Sequence, residues 1–161
     1  MAQYEHHHFV CLGGNENTLA VARYAHRCGS GAMYFDVTKT SAAFSRYVEY
    51  MPLMSSTGTE ILSRLTITRK RLQEKTPLIF FNSDPFVRFA LNFRQDLEKE
   101  FTFLIPSRKI IECALDKKRM PEIFPHHLLP EEYPIESSKD LDRLPLPVIV
   151  KPRDTSFGLP F

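Results

Sequence analysis

The run Pro77-Leu78-Ile79-Phe80-Phe81-Asn82-Ser83-Asp84-Pro85 decides the fold. Consecutive large apolar residues behind a proline read as a strand buried on both faces, because a half-solvated strand would alternate apolar with polar side chains. Asn82 ends the run. Ser83 or Asp84 can then cap a helix, and Pro85 suits the first helical position, where its missing N–H is no loss. Phe86, Ala90, Phe93 and Leu97 follow at helical spacing and predict one amphipathic helix.

The same unit recurs on both sides of that run. Upstream, Phe9-Val10-Cys11-Leu12 is a short apolar strand closed by Gly13-Gly14. Residues 16–28 place Val21, Tyr24, Ala25 and Cys28 at helical spacing, and Gly29 stands where a helix C-terminus favours glycine. Ala32-Met33-Tyr34-Phe35 runs to Asp36 as a second strand, and a third short strand is expected near Tyr47 to Tyr50. Thr57 with Glu60 fits a capping box opening a helix that carries Ile61, Leu65 and Leu72. Downstream, residues 101–105 read as a strand, and Ser107 caps a helix with Ile110, Ile111 and Ala114. Strand and helix in steady alternation predict parallel crossovers, hence an α/β, Rossmann-like, doubly wound sheet.

After about Leu115 the texture changes. Pro121, Pro125, Pro130 and Pro134 mark a linker with a short extended piece. Ser137-Ser138 opens a small helical patch, and Pro147-Val148-Ile149-Val150-Lys151-Pro152 reads as a strand ending in a cation. With little beyond it to pair with, that strand suggests an unfinished domain. The expected division is 1–115 and 116–161.

Composition narrows the function classes. The chain has 161 residues, 43% of them apolar, enough for a real core, and its formal charge of +2 is spread without a basic stripe of the kind nucleic acid needs. Cys11, Cys28 and Cys113 form no CxxC or zinc spacing and read as free thiols in a reducing compartment. The polar start and the lack of a long apolar run point to a cytoplasmic protein without a membrane partner. His6-His7-His8 and His126-His127 have no carboxylate or cysteine placed in sequence to complete a metal site. Nucleophile-elbow, HExxH and Walker motifs are absent from the sequence.

Chemistry is therefore sought where an open parallel sheet binds ligands, outside the carboxyl ends of its strands. Gly13-Gly14-Asn15 either makes a tight turn or lets a phosphate or carboxylate approach the backbone. Asp36 stands where a dinucleotide fold keeps its ribose-binding acid, although the glycines do not spell GxGxxG. Asp84 is a helix cap or a ligand at the same edge. Lys117 and Lys151 are solvated surface cations or phosphate ligands.

In order and spacing, the segments Leu12-Gly13-Gly14, Thr18 to Arg23, Phe44 to Tyr47, Asn82-Ser83-Asp84, Phe103-Leu104-Ile105-Pro106, Leu115-Asp116-Lys117 and Leu146 to Pro152 resemble the ATP-grasp superfamily, in particular its carboxylate–amine ligases. The resemblance implies a pre-ATP-grasp domain followed by part of the small nucleotide lobe. It implies that Lys117 and Lys151 face ATP phosphates and that Asp116 supports the local structure. Ser156 and Gly158 fall where the family has a mobile phosphate-covering loop, although Phe157 is bulky for it. Gly13, Gly14, Asn15 and Asp84 would lie on the substrate side. The implied reaction activates a carboxylate as an acylphosphate for attack by an amine or thiol, with ATP and magnesium, the magnesium ligands falling in a portion beyond this sequence. The expectation is an amino-terminal piece of such a ligase, catalytically silent alone, with small-molecule carboxylate and amine substrates and a second copy in a homodimer as its partners. The rival readings are a nucleotide-binding module of an oxidoreductase and a non-catalytic interaction domain.

Overall fold

The computed structural model describes residues 8–72, 76–133, 135–145 and 147–149. The chain divides into two compact units, one ending at Ile105 and the other beginning at Pro106.

The first unit is the α/β sheet that the apolar runs predict. It runs β1 (Phe9–Leu12), α1 (Glu16–Arg27), β2 (Ala32–Asp36), a 3-10 turn (Ser41–Phe44), β3 (Glu49–Pro52), α2 (Gly58–Arg71), β4 (Leu78–Phe81), α3 (Asp84–Asn92) and α4 (Arg94–Glu100). The strands lie in the order β3-β2-β1-β4, every pair parallel. From β1 the chain steps outward through β2 to β3, then crosses back to β4 on the far side of β1. Right-handed crossovers put connections of opposite travel on opposite faces.

Two cores follow from that winding. On one face Val10, Leu12, Met33, Phe35 and Ile79 meet Ile61 and Leu65 of α2, Phe86, Phe89 and Ala90 of α3, and Leu97 of α4. On the other, Phe9, Cys11, Ala32 and Tyr34 meet Ala22 and Ala25 of α1, with Ala42 and Val48. Alternate residues of each strand serve alternate faces, which is why β1 is buried at every position. Fully buried Leu12 and Phe35 each contribute about 1.5–3 kcal/mol of transfer free energy.

Helix ends explain several boundaries. Gly29, at φ 71°, takes the left-handed conformation, Gly29 N–H donates to His26 O (3.0 Å) and Ser30 N–H to Ala25 O (2.9 Å), so α1 closes as a Schellman motif. The capping box expected at Thr57 does not form: the Thr57 side chain makes no cap bond, and Glu60 pairs with Arg64 at 3.0 Å instead. Ser83 is the N-cap residue of α3 without a side-chain cap bond, and Pro85 is the second helical residue rather than the first.

Other expectations are corrected by packing. The single helix through Leu97 breaks at Phe93 (φ −113°, ψ 22°) into α3 and α4. The Phe93 ring lies where a Cβ on Gly58 would stand, so the break seats that ring against the start of α2. The strand expected at 101–105 shrinks to one bridge, Thr102 beside Leu78. The third strand lies at Glu49–Pro52, slightly later than expected. On α1 the buried residues are Thr18, Ala22 and Ala25, while Tyr24 is exposed.

The second unit contains α5 (Arg108–Leu115) and 3-10 turns at Lys117–Glu122, His126–Leu128 and Ser138–Arg143. The buried positions of α5 are Ile111, Cys113 and Leu115, not Ile110 or Ala114. The proline-rich stretch holds the turns at Lys117–Glu122 and His126–Leu128, after which Leu129 is extended. The patch opened by Ser137 is a 3-10 turn closed by a capping box with Asp140. No strand is present at 147–149, where Ile149 is exposed, and the rest of the expected strand lies outside the described residues.

Candidate functional site

Strands β1 and β4 are neighbours, but α1 leaves β1 over one face and α3 leaves β4 over the other. This is the topological switch point, where a crevice opens outside the carboxyl ends of an open parallel sheet. Gly13-Gly14-Asn15 ends one side of it and Asn82-Ser83-Asp84 the other.

Each residue of the first turn has a physical reason. Gly13 sits at φ +99°, a conformation that costs a side-chain-bearing residue strain, and donates its N–H to Phe35 O (2.9 Å). Gly14 lies so close to the Tyr34 ring and the Thr40 hydroxyl that a Cβ would collide with both. Its N–H donates to Asp36 Oδ2 at 2.9 Å, and Asp36 Oδ1 accepts from Thr38 N–H at 3.2 Å. Both carboxylate oxygens of Asp36 thus brace backbone, which is different work from holding a ribose. Asn15 caps α1, its Oδ1 accepting from the N–H groups of Asn17 (3.0 Å) and Thr18 (3.2 Å).

Side chains then strap the two turns together. Asn15 Nδ2 donates to Asn82 O (2.7 Å), and Asn82 N–H donates to Leu12 O (2.8 Å). Asn82 Nδ2 donates to the hydroxyl of buried Thr18 (2.7 Å), which in turn donates to Gly13 O. Cys11 lies under this network, and burial pushes its thiol up to about 12 despite hydrogen bonds with Asn82 and Thr18. The Gly13 and Gly14 backbone donors, expected to face a ligand, are therefore spent on the protein itself, as are those of Asn17 and Thr18. The strap was only partly visible in sequence: Asn82 directly after the strongest strand was a signal, whereas Thr18 looked like any polar helical residue.

The remaining candidates are distributed as follows. Asp84 is the first residue of α3, at the crevice. Lys117 opens a 3-10 turn in the second unit. Lys151, Ser156 and Gly158 lie outside the described residues, as do His6 and His7. His126 and His127 are exposed. Among the described residues no group of three or more His, Cys, Asp or Glu is placed to hold a metal ion, and no helix is long and apolar enough to cross a membrane.

The turn that begins at Lys117 is tied to α5. Asp116 accepts from Lys118 N–H through Oδ1 (3.2 Å) and from Arg119 N–H through its carbonyl (2.8 Å). The Arg119 guanidinium grips Glu122 with two bonds, 2.9 and 3.2 Å, and reaches Glu112 of α5 at 3.7 Å. Buried Cys113 donates its thiol to Glu122 at 3.5 Å. Arg119 holds the Glu122 carboxyl below its ordinary range, and burial, then Glu122, push the Cys113 thiol up.

No family model matches this chain, and no curated protein matches it. Among solved structures 14 chains match. One is an L-amino acid ligase from Bacillus licheniformis, similar at a TM-score of 0.60 with 15% sequence identity. The match covers 94% of this chain and 38% of the ligase, so the chain spans well under half of that protein's length. At this identity the likeness is one of fold.

Proposed function

We propose that this chain is the amino-terminal portion of an ATP-grasp-type ligase that joins a carboxylate to an amine or thiol through an acylphosphate. The observation that carries the reading is the fold match to an L-amino acid ligase, which covers 94% of the chain and so reaches beyond the parallel sheet. The ordered motifs that resemble the superfamily, from Leu12-Gly13-Gly14 to Val150-Lys151-Pro152, support it independently.

In this reading the two units divide the work. The crevice between Gly13-Gly14-Asn15 and Asp84 helps shape the substrate side. Its turns are held by the Asn15–Asn82–Thr18 strap and by Asp36, so they need little reordering when a small carboxylate or amine arrives. Lys117 and Lys151 supply positive charge to the ATP phosphates, with Ser156 and Gly158 in the covering loop. Compact ammonium groups suit this because phosphoryl transfer is largely positioning and charge stabilisation.

ATP titration of the full chain in the presence of magnesium tests the reading. Saturable binding is expected, weakened about tenfold or more by Lys117→Ala and by Lys151→Ala, the loss of one charge-assisted contact each. Affinity that neither substitution changes would overturn it. The chain alone is expected to release no phosphate from ATP with a panel of amino acids; turnover abolished by Lys151→Ala would contradict that silence.

A further inference from the structure

Among the described residues of the turn at Lys117–Glu122 none is fully buried, and Met120 is half-buried. Polar contacts join the turn to α5. Arg119 bridges Glu122 within the turn and Glu112 on the helix, and the Cys113 thiol reaches Glu122 from the helix side. Arg108 adds a second cation on Glu112 at 3.2 Å. The Asp116 side chain accepts from the Lys118 amide of the turn.

We propose that Arg119 is a positioning residue: by bridging Glu112 and Glu122 it staples the turn to α5 and so sets where Lys117 stands. This rests on the reading of Lys117 as a phosphate-facing lysine. Single exposed ion pairs contribute little, but here one planar guanidinium serves two carboxylates that sit on different elements, and one of those carboxylates also takes a buried thiol. A bidentate fork fixes direction as well as distance, which a lone ammonium does not. The staple acts through the backbone of the turn and needs no contact between Arg119 and ATP.

Two measurements on the full chain separate the staple from the reading it rests on. The first is amide hydrogen exchange at Lys118, Arg119, Ile123 and Phe124, whose N–H groups close the turn onto Asp116 and Met120. Arg119→Met is expected to speed exchange there by about 3- to 10-fold while the strands of the first unit keep their protection. Glu122→Gln, which keeps shape and removes charge, should do the same, and Arg119→Lys should restore part of the protection. The second is ATP titration with magnesium, in which Arg119→Met is expected to weaken binding about as much as Lys117→Ala. Unchanged exchange in both Arg119→Met and Glu122→Gln overturns the staple. Faster exchange with ATP affinity indifferent to Lys117→Ala overturns the phosphate-facing role of Lys117, and the positioning role with it.

Discussion

Gly14 shows how one atom can decide a turn. Its missing Cβ makes room for the Tyr34 ring and the Thr40 hydroxyl, and its N–H reaches Asp36. Gly14→Ala is expected to lower stability by about 1–3 kcal/mol through overpacking, read as a shift in urea midpoint at constant m-value. Asn82→Ala should cost about 1–3 kcal/mol, because it removes the side-chain donor to the buried Thr18 hydroxyl, while Asn15 keeps its bond to the backbone carbonyl of residue 82. Thiol chemistry provides a third check at this scale. Cys11 and Cys113 are buried with thiols pushed up, whereas Cys28 is half-buried. Iodoacetamide at neutral pH should label Cys28 first in the native chain, as read by peptide mass; early labelling of Cys11 would contradict the packing beneath the strap.

Among the elements, those with local signals were legible and those with tertiary causes were not. The strands β1, β2 and β4 follow from uninterrupted apolar runs, and the end of α1 follows from Gly29. The break at Phe93 does not, because it depends on the Phe93 ring meeting Gly58, which is far away in the chain. The capping box is equally instructive. The Ser/Thr-x-x-acid pattern occurs at both Thr57 and Ser137, yet only Ser137 with Asp140 closes it. At Thr57, Arg64 draws Glu60 away and the Ser55 hydroxyl takes up the threonine. The Asp140 carboxylate accepts from Ser137 N–H (2.8 Å), Glu136 N–H (3.1 Å) and the Ser137 hydroxyl, which hold its pKa down. A depressed carboxyl contributes stability that is complete above its unfolded pKa and is lost as pH falls through the lower folded value. Protection of the Glu136 and Ser137 amides should therefore fade only on acidification below about pH 4, and Asp140→Asn should flatten that dependence. Amide shifts followed across acid pH measure both.

In the whole molecule, the two units differ in what stabilises them. The first has a sheet with a packed core on each face. In the second, the described residues after Leu115 include no buried side chain, and its turns are held by caps and ion pairs. Local opening is easier where few apolar groups are buried. A broad-specificity protease should therefore cut first within the described residues of the second unit, leaving the sheet of the first as the persistent fragment. Mass spectrometry of a digestion time course checks this, and early cuts within β1 or β4 would contradict it.

The sequence by itself determined the alternation of strand and helix, and with it the α/β class, because burial on both faces and turn chemistry are written in neighbouring residues. It also put glycines at the first strand's end and named Asp36, Asn82 and Asp84 as strand-end residues. Only the tertiary structure decided what those groups do. Parallel pairing brings the carboxyl ends of β1, β2 and β4 to one edge, so Asn15 meets Asn82 and Gly14 meets Asp36 across long stretches of chain. Hydrogen bonds form between neighbours in space, and in a parallel sheet those neighbours are separated in sequence by whole crossover connections.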